Sequence, residues 1–214
     1  MTEGAAIINY CTILRNTLTV DNQILYQGAP ETDFETFSKA LYKTIGLKYP
    51  KFYKMDNLSK LGFLAAEALV QQVPEFENYD KQKTGIFVSN AYSCLDTDER
   101  YYATVKDKDS FFPSPGLFVY TLPNILIGEI CIRHKITGEH AFFLSEQFDT
   151  DFTCLYVNDL FASGLIESAL TGWTEFYQDE CRAVLMWLTK EGSDNPEKAF
   201  TPKNVSKVWQ SFNH

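Results

Sequence analysis

Residues Gly138 to Glu175 read GEHAFFLSEQFDTDFTCLYVNDLFASGLIESALTGWTE, and the fold turns on how this stretch is parsed. Ala141 to Ser145 is an apolar run of strand length. A polar turn, Glu146-Gln147, leads out of it into a helix over Phe148 to Ala162, with Phe148, Phe152, Leu155, Tyr156 and Leu160 at helical spacing. Asp149 and Asp151 fall in the first turn of that helix, where the macrodipole favours carboxylates. Gly164 ends the helix, and Ile166 to Trp173 forms a second apolar strand that closes on Gly172-Trp173-Thr174-Glu175. A strand, a helix and a strand in this order make a crossover unit of an α/β protein.

The flanking sequence extends the same pattern. Upstream, Ser114-Pro115 and Pro123-Asn124 precede a helix over Ile125 to His134, and Gly85 to Ser89 (GIFVS) is a short buried strand. Before it, Asp56-Asn57 opens a helix with Leu58, Leu61, Ala65 and Leu69 on one face, stopped by Pro74. Thr32-Asp33 opens another, carrying Phe34, Phe37, Leu41 and Ile45, and Ala5 to Ile13 is the first strand. Downstream, Arg182 to Thr189 is a strand joined tightly to its predecessor through Phe176 to Cys181. Gly192 to Ala199 is polar, and Thr201-Pro202 begins a last helix with Val205, Val208, Trp209 and Phe212 on one side.

Ser114, Pro115, Pro123, Asn124, Gly128, Ile130, Ile132, Arg133 and Gly138 stand in register with a run that resembles the condensing enzymes of the thiolase superfamily, the β-ketoacyl synthases. KMDNLSKLGFLAAEALV is similar to another of their helices, and Gly164 with Gly172 to Glu175 matches the region around their nucleophile. The resemblance spans nearly the whole chain but only the N-terminal half of the family's domain. It implies one β-ketoacyl-synthase-like domain over residues 1–214. The expected architecture is an α/β, thiolase-like half fold: a five-stranded, mostly parallel sheet with helices on both faces.

In that family a cysteine at a helix N-terminus accepts the acyl chain as a thioester, its thiolate favoured by the helix. An ungapped register places Gln147 there, and an amide is no nucleophile. Two histidines and a lysine that drive malonyl decarboxylation come from the family's second half. His134, His140 and His214 have no context resembling them. Cys154 lies two turns into the helix beside Asp149 and Asp151, whose charges oppose a thiolate, and reads as core packing. No catalytic residue is therefore assigned beyond Gln147 at the nucleophile-equivalent position, and no cofactor or metal is expected.

The family's dimers pair the strand matching Ala141 to Ser145 with its two-fold mate, and the segment matching Phe118 to Asn124 lines the partner's substrate tunnel. The resemblance thus implies a chain-length-factor-like partner of a full-length ketosynthase in fatty-acid, polyketide or aryl-polyene (flexirubin-type) pigment assembly. Phe118, Tyr120, Asn124, Phe142 and Phe143 are its tunnel and interface residues. A residual acyltransferase or malonyl decarboxylase activity, and an inactive structural homodimer, are the alternatives. An acyl carrier protein would be met only indirectly.

Composition agrees with a globular protein: 214 residues, 45% hydrophobic and 22% charged, with a formal net charge of −9. Without a basic run, nucleic acid and anionic membrane are poor partners. Five cysteines at irregular spacing, no secretory signal and no apolar stretch of spanning length place the expected protein in the cytoplasm.

Overall fold

The computed structural model describes residues 4–109, 111–190 and 195–212, with the side chains of residues 211 and 212 excepted. His214 and the side chain of Phe212 thus lie outside the described residues. Strands β1 (Ala6–Leu14), β2 (Thr17–Val20), β3 (Gln23–Gln27), β4 (Thr84–Asn90), β5 (His140–Leu144), β6 (Ser168–Tyr177) and β7 (Glu180–Thr189) form one sheet. Their order is β3-β2-β1-β7-β6-β4-β5.

This corrects the expected five-stranded, mostly parallel sheet. The sheet has seven strands, and only the pairings of β4 with β5 and with β6 are parallel. The other four pairings are antiparallel because tight hairpins join β1 to β2, β2 to β3 and β6 to β7, and β1 closes against β7. Both residues of each hairpin turn have positive φ: Arg15 and Asn16, Asp21 and Asn22, Gln178 and Asp179. Two-residue turns of this hand match the right-handed strand twist. They lack the glycine that usually marks them, and β3 (QILYQ) exposes most of its length. The added strands therefore carry little sequence signal.

Helices do lie on both faces. On one, α1 (Phe34–Thr44), α2 (Asn57–Val70) and α5 (Ile125–His134) pack on Ile86, Leu170, Leu185 and Trp187. On the other, α6 (Thr150–Ala162) and α7 (Pro202–Phe212) cover Phe87, Trp173, Met186 and Leu188. Alternate residues of β7 thus serve opposite cores, as a strand's two-residue period requires. Helices α3 (Leu95–Ala103) and the short α4 (Pro115–Val119) complete the chain.

The caps form where the sequence puts them. Asp33 accepts from Thr36 N at 2.8 Å, and Asp56 from Ser59 N at 2.9 Å. Asp56 also accepts from Thr97 Oγ1 of α3 at 2.8 Å, and burial pushes its carboxyl above the ordinary value despite those bonds.

Helix α2 is apolar on nearly every side and runs through the core. Its one buried charge, Glu67, explains Arg133 of the matched run. Arg133 Nε donates to Glu67 Oε1 at 2.9 Å, and His134 Nε2 lies 2.9 Å from the same oxygen. Burial favours the protonated acid, but the contacts of His134 and Arg133 outweigh it and hold Glu67 below the usual glutamate range. On acidification the unfolded chain then takes up its proton first, at about pH 4.3. The stabilisation is complete above that value and is lost as pH falls through the folded one. Glu67→Gln is accordingly expected to cost about 2–3 kcal/mol at neutral pH. The deficit should shrink below about pH 4. Urea midpoints of both proteins at the two pH values check it.

Candidate functional site

Gln147 is exposed, in a bend between β5 and α6. The helix expected from Phe148 starts at Thr150, because Asp149 is the N-cap and accepts from Phe152 N at 2.9 Å. Gln147 therefore precedes the helix, and its carbonyl is held by Ser145 Oγ at 2.8 Å. The interior beside it is filled with rings. Phe148 is buried against Trp173 and Trp209, with centroids 6.2 and 5.4 Å away, and the two indoles are 5.7 Å apart.

The nearby groups oppose an anionic nucleophile. Burial, and then Asp151, raise the Cys154 thiol to about 12. Glu146, Asp149 and Asp151 surround position 147 in sequence. Gln147→Cys is expected to form no thioester, with a thiol titrating at or above about 8.5, the free value. The pH dependence of its alkylation rate checks this. The Glu175 that closes the matched run does structural work: its carboxylate accepts from the backbone N–H of Ala91 at 2.8 Å and of Tyr92 at 3.2 Å. Burial raises its pKa against those two bonds.

The five residues expected at a tunnel or interface are not gathered into one cluster. Phe142 and Phe143 are neighbours on β5 and so point to opposite faces, Phe142 toward the α2–α5 core and Phe143 toward α6. Phe143 meets Phe152 and Tyr156 edge-on, at 5.0 and 5.1 Å. Phe118 is exposed on α4, its ring 5.5 Å from that of Tyr101. Asn124 is exposed and caps α5 without a side-chain hydrogen bond. Tyr120 is buried, and its phenol donates to Glu129 Oε1 at 2.9 Å.

Two surfaces remain open. β5 is an edge strand with no partner beyond it among the described residues, and exposed Leu144, Phe152 and Leu155 stand beside it. Phe152, Leu155, Tyr156 and Asp159 line a groove of 340 Å³ on α6. The second surface carries exposed Phe111, Phe112, Phe118, Val119 and Leu122. A cavity of 910 Å³ lies at the far end of α6, where Phe161, Ala162 and Phe200 line it. The helix separates it from Gln147 by about 20 Å.

Glu129 and Glu67 escaped the sequence reading. The available signal was a single acid inside an otherwise apolar helical run, in LIGEICI and in LAAEALV. Among the described residues no group of three His, Cys, Asp or Glu is placed to hold a metal ion. No helix among them is long and apolar enough to cross a membrane.

The mixed sheet between two helical layers is the fold of ketosynthase and chain length factor chains. A structure described as the ishigamide ketosynthase/chain length factor superposes with a TM-score of 0.63 at 14% identity, over 90% of this chain and 64% of that one. A type II PKS acyl-carrier protein in complex with its ketosynthase bound to the hexaketide (AntDE:AntF) gives 0.60 at 11% identity, over 88% and 63%. The chain thus spans under two thirds of the length of either. The ketosynthase ApeO in complex with its chain length factor ApeC, from Xenorhabdus doucetiae, gives 0.60 at 13% identity, over 98% of this chain and 91% of that one. At such identities the likeness is one of fold. No family model matches the sequence, and no curated protein matches it.

Proposed function

We propose that this chain is a non-condensing, chain-length-factor-like partner subunit of a full-length ketosynthase, serving fatty-acid, polyketide or aryl-polyene pigment assembly. The observation that carries the reading is the free edge of β5, flanked by exposed Leu144, Phe152 and Leu155. An apolar, unpaired sheet edge of this kind suits an interface and is a liability in an isolated monomer. Gln147, held outside the helix with three aromatic rings behind it, supports the absence of thioester chemistry. The partner supplies nucleophile and base, and this chain supplies bulk at the end of its acyl tunnel. Phe118 and Phe143 are the side chains assigned to that bulk, and an acyl carrier protein delivers its cargo to the partner.

Affinity capture at native expression levels, with mass spectrometry of the captured proteins, tests the reading. Stoichiometric recovery of a full-length ketosynthase is expected. Recovery of the chain alone, as a dimer, refutes the heterodimer and leaves the structural homodimer. Turnover by the isolated chain that Gln147→Ala abolishes would support instead the residual acyltransferase or decarboxylase.

A further inference from the structure

From Phe111 to Asn124 the chain forms an exposed lobe, and Tyr120 is its one buried residue. Phe112, Phe118, Val119 and Leu122 face solvent around it. The Tyr120 phenol donates to Glu129 Oε1 at 2.9 Å, and Lys51 Nζ lies 2.8 Å from Glu129 Oε2. Glu129 is 3% exposed, and its two oxygens face Tyr120 and Lys51. Burial first, and then the carboxylate beside it, push the Tyr120 pKa well up, which keeps the phenol a donor. The turn at Pro50–Lys54, far away in sequence, thus meets the lobe and the α5 helix that follows it at one buried carboxylate.

We infer that Glu129 is a positioning residue: through Tyr120 it fixes the apolar lobe, and so sets where Phe118 stands in the partner's acyl tunnel. This rests on the proposed partner role. A lobe without that anchor is free to retreat before a growing acyl chain, so its loss lengthens and broadens the products. Neither Glu129 nor Tyr120 touches substrate; Phe118 does.

The test has two arms. In the isolated chain, Tyr120→Phe keeps the ring but removes the donor. Amide hydrogen exchange across residues 111–124 is expected to quicken about fivefold, the worth of one net hydrogen bond, while β6 and β7 stay protected. Glu129→Gln retains a carbonyl acceptor for the phenol and is expected to exchange more slowly there than Glu129→Leu. In the synthase reconstituted with the captured ketosynthase, the products of Tyr120→Phe and of the wild type are compared in fully formed complexes. The fraction of products longer than the wild-type length should rise about fivefold, and Phe118→Ala should shift it the same way. Unchanged exchange in Tyr120→Phe overturns the anchor. Faster exchange with unchanged products in a fully formed complex overturns the length-setting role. If no ketosynthase binds even the wild-type chain, the partner role itself fails and the length-setting role with it. The exchange arm tells these failures apart, because it needs no partner.

Discussion

Replacing Leu144 by proline is expected to detach this chain from the proposed ketosynthase partner while leaving its fold intact. The backbone of β5 shows why. Glu139 O accepts from Ile86 N at 3.0 Å, and Ser145 N donates to Asn90 O at 3.1 Å, so the odd-numbered residues of this segment bond inward to β4. By the two-residue period, the N–H groups of Phe142 and Leu144 point away from the sheet. Proline at 144 removes an outward donor and sets a ring in the path of an incoming strand, yet it breaks no bond of the β4–β5 ladder. Edge strands tolerate proline on that side. Losing one interfacial backbone bond and stranding its carbonyl partner costs about 2–3 kcal/mol, or about 30- to 150-fold in affinity. Titration of the variant against the captured ketosynthase measures the loss, and an unchanged melting temperature certifies the fold. Wild-type affinity in a folded Leu144→Pro would exclude β5 as the interface. It would turn attention to the lobe around Phe112 and Phe118.

Gly172→Ala should be the most damaging single methyl group among the described glycines. Gly172 has φ of 151°, a conformation side-chain-bearing residues rarely adopt. A Cβ there would sit 1.9 Å from the carbonyl oxygen of Val184, in the middle of the β6–β7 ladder. That contact is with backbone, so no rotamer change relieves it. The strands must part or the register must shift, at a cost of about 3–5 kcal/mol. For a domain of this size that is a fall in Tm of about 10–15 °C. Gly128, inside α5, is the natural control, since a Cβ there meets nothing within 4 Å. Gly128→Ala should gain about 0.5–1 kcal/mol from helix propensity alone. Thermal melts of the two variants read both effects. A mild Gly172→Ala would mean that β6 and β7 adjust more freely than a two-sided buried ladder should.

Much of the architecture was legible because it is local. Asp33 and Asp56 announce their helices, Ile125 to His134 repeats apolar residues at helical spacing, and GIFVS is too apolar for anything but a covered strand. Gln147 was legible too, as the residue that the resemblance sets at the family's nucleophile position. The strands of residues 17–27 were not. Both are short, β3 is largely exposed, and their turns, Arg15-Asn16 and Asp21-Asn22, reach positive φ without glycine. In β2 the alternation that buries Leu18 and Val20 lasts only four residues, and in β3 neither face is firmly buried, so periodicity has little to register.

By itself, then, the sequence determined the order and kind of the principal elements, the two helical layers and the lack of a thiol at position 147. The tertiary structure alone decided which strands are edges and which side chains share a face. It sends Phe142 and Phe143 apart, leaves Leu144 at an open edge and buries Tyr120 against Glu129. The division follows the range of the forces. Caps, turns and periodicity act within a few residues. The partner of a buried charge is chosen by whatever the fold brings beside it: Arg133 reaches Glu67 across 66 residues of chain.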